Sequence, residues 1–186
     1  MMKAILLLLL GLIFGISAQG QLLLNELMAL NHSTCVDACG SHEDWVEIYN
    51  AGDQAVHLDG YFLTDDPKNL QKFRFRANKK QTLILPAKGF LLVWCDEDEL
   101  EGPSHANFRL SSNGEFLALT DPDGMVLDSL TFSQQVPDIS FGRSENSAGE
   151  WELQSVPTPN GSNSEAGIHS TMRLYGDIRS YAQGKW

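Results

Sequence analysis

Three carboxylates lie within the stretch HEDWVEIYN, residues 42–50. Two of them precede a tryptophan, and apolar and polar side chains alternate after it. Such clusters serve general acid–base catalysis and metal-dependent hydrolysis. On a β-strand, however, Val46 and Ile48 share one face and Glu47 lies on the other, between two aromatic residues. There its carboxylate is suited to accepting hydrogen bonds that fasten a neighbouring loop. We therefore interpret as one polar, structural site the residues Asn25, Glu26, Asp44, Glu47 and Asn50.

Two further groups have the residue types of metal ligands. Five carboxylates follow the apolar run GFLLVWC, namely Asp96, Glu97, Asp98, Glu99 and Glu101. Clustered oxygen ligands suit calcium, but the run lacks the spacing of an EF-hand loop. The second group, with the residue types of a tetrahedral zinc site, is His32, Cys35, Cys39 and His42. Its intervals match no well-known zinc-finger spacing, so we assign no metal site and expect no cofactor, with calcium at the acidic run as the alternative.

Basic residues are concentrated between Asp66 and Asp96, a segment with no acid inside it. In the sequence KFRFR, a period of two sends Phe73 and Phe75 to one face and the basic side chains to the other. A solvated outer strand face explains this pattern, because charge protects an exposed strand from aggregation. An anion-binding face is the alternative, with candidate residues Lys72, Arg74, Arg76, Lys79 and Lys80.

The three cysteines are Cys35, Cys39 and Cys95. An exported chain with three cysteines is typically read as one disulfide and one unpaired thiol. Cys35 and Cys39 share a turn-rich loop, so we predict a Cys35–Cys39 disulfide, with a bridge from Cys95 to either of them as the alternative.

Motifs of catalysis are missing from the sequence. It contains no Gly-x-Ser-x-Gly elbow, no His-Glu-x-x-His, no glycine-rich phosphate loop and no Cys-x-x-Cys. We therefore expect a protein that is not an enzyme.

Short strand-like segments, separated by turn signals, must position these residues. They begin with LLLNEL at residues 22–27 and DWVEIYN at residues 44–50, and no segment sustains a helical period. The Asn113-Gly114 pair predicts a tight hairpin, and DPDG at residues 121–124 predicts another turn. The series indicates an all-β fold, an antiparallel β-sandwich or barrel. The segment VPTPNGSNSEAG predicts the end of the domain and a flexible exit.

The N-terminus carries one cation, Lys3, an apolar run and then small residues, which is the pattern of a secretory signal peptide over residues 1–18, cleaved after residue 18 or 20. We expect no membrane span after cleavage, and a secreted, periplasmic or cell-surface location, with an uncleaved N-terminal membrane anchor as the alternative. Loss of Lys3 leaves a net charge of −12, which makes nucleic acid an unfavourable partner. The remaining chain divides into a domain over residues 21–163 and a flexible tail, or the start of a truncated segment, over residues 164–186.

The order and spacing of these motifs resemble the lamin tail domain family. The matching segments are LLNELMALN, DWVEIYNAG, VHLDGYFLTDDP, ILPAKGFLLVW, HANFRLSSNGEFLALTDPDGMVLDSLTF, DISFGR and VPTPNGSN. The resemblance is greatest to the bacterial exported branch, where Asp-Trp-x-Glu-x-x-Asn and a terminal Pro-Thr-Pro-Gly element recur. It implies an immunoglobulin-like antiparallel β-sandwich that binds or scaffolds and has no catalytic residues.

We therefore expect an exported, non-enzymatic binding or scaffolding module that engages a cell-envelope or extracellular protein or glycan. One alternative is an accessory domain of an envelope-associated hydrolase. Another is a metal-dependent hydrolase that uses Asp44, Glu47 and neighbouring carboxylates.

Overall fold

The computed structural model describes residues 22–78, 81–146 and 149–163. The predicted signal peptide and the tail over residues 164–186 lie outside the described residues, as do Lys79 and Lys80. Among the residues described, no helix has the length and apolar character needed to cross a lipid bilayer.

The described chain consists of short strands joined by turns and loops. In chain order the strands are β1 (Leu22–Met28), β2 (Asp44–Asn50), β3 (Val56–His57), β4 (Phe62–Thr64), β5 (Phe73–Arg74), β6 (Ile84–Leu85), β7 (Phe90–Cys95), β8 (His105–Ala106), β9 (Phe116–Thr120), β10 (Val126–Thr131), β11 (Ser140–Arg143) and β12 (Trp151–Gln154).

The strands form two main sheets. The larger has the order β12-β11-β1-β2-β7-β8, the smaller has the order β10-β9-β4-β5, and β3 pairs with β6 in a separate ribbon. All pairings are antiparallel except the parallel pair β7 and β8. The predicted immunoglobulin-like antiparallel β-sandwich is confirmed.

The main core lies between the two sheets. Alternation along each strand sends every second apolar side chain inward, as a period of two requires. From the larger sheet the core receives Leu24, Leu27, Val46, Ile48 and Val93, and from the smaller sheet Leu63, Leu117 and Leu119. The predicted face of Val46 and Ile48 is therefore the core face.

The opposite face of the larger sheet is also covered. Met28, Trp45, Leu92 and Trp94 form a second apolar cluster there, and Cys35 of the loop before β2 packs against it. All seven residues of β1 are buried, including those on the outer face, which would be exposed if that face were open to solvent. Loops therefore cover this face, and one of them closes over the polar site described below.

Two turn predictions have different outcomes. The Asp121–Gly124 turn joins β9 to β10, with the Gly124 amide donating to the Asp121 carbonyl, as predicted. Gly114 also lies in a tight turn, at φ 93°. However, residues 108–112 form no strand, because the chain here crosses from β8 in the larger sheet to β9 in the smaller one. The predicted hairpin is therefore a corner between the sheets.

The predicted flexible exit is wrong for residues 156–163. Thr158 and Asn160 donate hydrogen bonds to side chains of β1 and β2, and Asn163 accepts one from the Asn25 side chain, so the segment is held against the larger sheet. Its proline, glycine and asparagine residues shape a defined loop, because buried acceptors on the sheet bind its amides. We call residues 156–163 the exit loop.

Candidate functional site

A buried carboxylate pair lies on the outer face of β1 and β2. The register of these strands shifts at Asn25, and this irregularity places Glu26 directly opposite Glu47. Both side chains are fully buried. The Asn25 amide nitrogen donates to Glu47 Oε1 at 2.8 Å, so three of the predicted polar residues come together.

The exit loop closes over this pair. Thr158 donates to Glu26 from its hydroxyl at 2.9 Å, and the Asn160 amide donates to Glu47 Oε2 at 2.5 Å. The Asn163 side chain accepts from Asn25 at 2.8 Å and donates to the Asn25 carbonyl at 3.0 Å. The hydroxyl of Ser140 on β11 completes the set by donating to Glu26.

Burial governs the protonation of both carboxyls. It raises the pKa of Glu47 to about 8, and the neighbouring Glu26 carboxyl adds to the rise. Burial also raises the pKa of Glu26, against the hydrogen bonds from Ser140 and Thr158 that lower it. A buried pair of carboxyls is most stable with at least one of them neutral. With no exposed oxygen and with loop amides as partners, Glu47 fastens the exit loop and lacks access to a substrate.

The other two predicted polar residues lie elsewhere. Asp44 and Asn50 have the same parity as Val46 along β2, so they lie on the opposite face from Glu47. Asn50 donates to the carbonyls of Gln54 at 2.8 Å and Pro86 at 2.9 Å, which fixes the loop after β2. Burial raises the pKa of Asp44 to about 6.

The predicted anion-binding face lines a cleft of about 300 Å³ between β5 and the loop after β7. Phe73 and Phe75 point into the core and the basic residues point outward, which confirms the predicted alternation. The cleft lining consists of Phe62, Gln71, Lys72, Arg74, Arg76, Glu99 and Asn107. An adjoining hollow of about 200 Å³ shares Arg74, Arg76 and Glu99 and adds Leu100 and Pro103.

The cations of this cleft differ in their partners. Lys72 Nζ lies 2.7 Å from Asp65 Oδ1, so its charge is largely compensated. Arg74 lies over the Phe62 ring at 6.0 Å, and neither Arg74 nor Arg76 forms an ion pair with any described carboxylate. Arg74 and Arg76 are exposed and hold the uncompensated positive charge of the cleft.

The cysteines are free thiols in this structure, and the predicted Cys35–Cys39 disulfide is not formed. Cys35 packs half-buried against the apolar cluster on the outer sheet face, whereas Cys39 is exposed and its thiol hydrogen-bonds Glu101. Cys95 is buried in the main core. The two loop thiols therefore have different surroundings.

The predicted zinc set does not gather among the described residues. His42 Nδ1 instead contacts the Cys35 carbonyl at 2.9 Å. The acidic run after β7 is also only partly drawn together, since Asp96 and Glu101 meet Asp37 and His105. Asp37 and His105 were not among the predicted metal ligands, because no spacing pattern joins them to the acidic run. Their juxtaposition depends on the pairing of β7 with β8 and on the course of the loop before β2.

Comparison with known families gives one match. The model of the Lamin Tail Domain matches residues 16–134, which is more than half of the chain. This immunoglobulin-like sandwich therefore belongs to the lamin tail domain family, as its motifs predicted. Comparisons with curated proteins and with solved structures give no significant match. The matched range ends before β11, although β11 pairs directly with β1.

Proposed function

We propose that this chain is an exported, non-enzymatic binding module that holds an anionic glycan of the cell surface in the cleft beside β5. The observation that carries the proposal is that the cleft contains two exposed guanidinium groups, those of Arg74 and Arg76. Neither forms an ion pair with a carboxylate in the part of the chain that the structure describes. The N-terminal signal-like sequence supports export, and membership of the lamin tail domain family supports a binding role.

The chemistry of the cleft favours a sugar polymer that carries carboxylate or sulfate groups. Guanidinium groups bind such groups through paired, charge-assisted hydrogen bonds. Gln71 and Asn107 offer amides that can donate to or accept from hydroxyl groups. The Glu99 carboxylate in the same lining is an acceptor for sugar hydroxyls and repels a purely anionic partner. This mixture suits a glycan better than a uniformly acidic peptide.

The surrounding charge adds selectivity. The protein is strongly acidic, so most of its surface repels polyanions, and the guanidinium pair is a local exception. Binding at the cleft is therefore expected to be salt-sensitive and confined to one face.

Retention of the full chain on immobilised heparin and polygalacturonate tests this proposal. The double variant R74E/R76E is expected to elute at lower salt and to bind at least about tenfold more weakly, close to 1.4 kcal/mol. The control K68E/K88E changes the net charge equally at positions outside the cleft lining and is expected to retain binding. E99Q removes a repulsive charge and is expected to bind a sulfated polymer more tightly.

Three results would overturn the proposal. One is that wild type is retained on neither column. The second is that both double variants lose retention equally, which would indicate general charge attraction. The third is that wild type binds an acidic peptide but neither polymer.

A further inference from the structure

We propose that Asp37, Asp96, Glu101 and His105 form a binding site for a divalent transition-metal cation of the zinc type. One ligand atom from each of these residues lies within 4.8 Å of every other. His105 Nδ1 is 2.5 Å from Asp96 Oδ2 and 3.7 Å from Glu101 Oε2, so the imidazole and two carboxylates face one point. This proposal is independent of the glycan cleft.

The fold builds the site from separate segments. Asp96 follows β7 and His105 lies on β8, so the parallel pairing of these strands brings their side chains together. Asp37 belongs to the loop before β2, and its Oδ1 accepts from the amides of Cys39 and Ser41, each at 2.8 Å. These bonds hold the Asp37 carboxylate in place before any ligand binds.

Burial separates this group from an ordinary solvated acidic patch. Asp37, Asp96 and His105 are 8%, 6% and 4% exposed, and Glu101 closes the group from the surface side. Burial of several carboxylates is costly unless cations compensate them.

Protein cations compensate the site poorly. Among the described residues, no lysine or arginine forms an ion pair with Asp37, Asp96 or Glu101. Arg109 comes nearest, but its side chain binds the Asp96 carbonyl and pairs with Glu43 and Glu97. Three carboxylates against one imidazole leave the group with a net negative charge that a divalent cation would neutralise.

The donor set indicates which cation fits. Calcium prefers oxygen ligands alone, whereas imidazole with carboxylates suits zinc and its transition-metal neighbours. Four protein donors also match the usual tetrahedral number for zinc. A cation would replace the direct contact between His105 Nδ1 and Asp96 Oδ2. The Cys39 thiol, which hydrogen-bonds Glu101, would help to orient that carboxylate.

Isothermal titration of the chelator-treated full chain with ZnCl₂ and with CaCl₂ tests the site. We expect one zinc ion per chain, bound at least tenfold more tightly than calcium. D37N and E101Q are each expected to weaken zinc binding at least tenfold. The control E97Q removes an exposed carboxylate from the same acidic run, outside both the ligand group and the glycan cleft, and is expected to bind zinc as wild type does.

Cobalt substitution gives a second readout that reports the nitrogen ligand. Co²⁺ is expected to give visible absorption bands in the wild type, and H105Q is expected to shift or abolish them. Circular dichroism shows whether H105Q folds. If it does not, the zinc affinities of D37N and E101Q still test the site. The proposal is overturned by the absence of stoichiometric zinc binding, by wild-type affinity in both D37N and E101Q, or by tighter binding of calcium than of zinc.

Discussion

Glu47 is a carboxyl group whose protonation depends on its buried position between β1 and the exit loop. In the unfolded chain its pKa is near the ordinary 4.5, and burial raises it to about 8 in the fold. A raised carboxyl pKa means that the folded state favours the neutral acid. The resulting stabilisation is complete below about pH 4.5 and is lost as the pH rises towards 8.

The corresponding prediction concerns Glu47→Gln, which keeps the shape of the neutral acid and cannot ionise. Between pH 5 and pH 8 the free energy of unfolding of the wild type should fall, with a contribution from Glu47 on the order of a few kcal/mol. In the variant this fall should be smaller, as measured by urea denaturation at several pH values.

The control for that series is Glu152→Gln, at an exposed position of β12. It should reproduce the pH profile of the wild type. Parallel profiles for the wild type and the Glu47 variant would show that Glu47 does not titrate with folding.

Gly114 shows how one backbone position decides a turn. Its φ of 93° is rarely adopted by residues with a side chain, and a Cβ there would overlap the Phe132 carbonyl oxygen. Gly40 has a similar φ of 89°, but a Cβ there would meet no atom within 4 Å.

These two glycines form a matched pair for mutation. Gly40→Ala should cost about 1 kcal/mol from backbone strain alone. Gly114→Ala should cost at least about 2 kcal/mol, because the overlap adds to the strain. Thermal and urea denaturation measure both, and equal losses would show that the close approach to Phe132 has no energetic weight.

At the scale of elements, the exit loop depends on Asn163. This side chain is 1% exposed and donates to the carbonyls of Asn25 and Arg143. Replacing it by alanine removes both bonds at a buried position, and the Asn25 carbonyl loses its side-chain donor.

Asn163→Ala should therefore lower the free energy of unfolding by about 2–3 kcal/mol and make the exit loop more accessible to proteases. Asn107→Ala, which removes one 3.2 Å bond of an exposed side chain, is the control and should be nearly neutral. Wild-type stability of the Asn163 variant would contradict the role assigned to the exit loop.

The elements also show what the sequence could predict. Alternation of apolar and polar residues predicted which side chains of β2 and of the KFRFR segment face the core, because a period of two is a local property of the sequence. The exit loop could not be predicted in this way, since its bonds to Glu26 and Glu47 join distant parts of the chain. The proline and glycine residues of the exit loop indicate only that its backbone is irregular. Its rigidity comes from buried carboxylates that accept hydrogen bonds from its amides.

The candidate sites divide in the same way. Asn25, Glu26 and Glu47 could be grouped from the sequence because adjacent strands carry them. Parity along β2 separates Asp44 and Asn50 from that group, so the prediction of one five-residue polar site was too broad. His105 could not be joined to Asp37, because their proximity depends both on the pairing of β7 with β8 and on the course of the loop before β2.

For the whole molecule, the position of β1 has a consequence for the order of folding events. β1 lies in the interior of the larger sheet, between β2 and β11, so the sheet joins the first described strand to one of the last. Closing so long a loop is slow compared with forming local hairpins. During synthesis the ribosome must release nearly all of this domain before β1 finds its second neighbour. The domain therefore completes its folding only after β11 has been translated. A chain that crosses a membrane during its synthesis would still be incompletely folded and able to pass through a narrow channel.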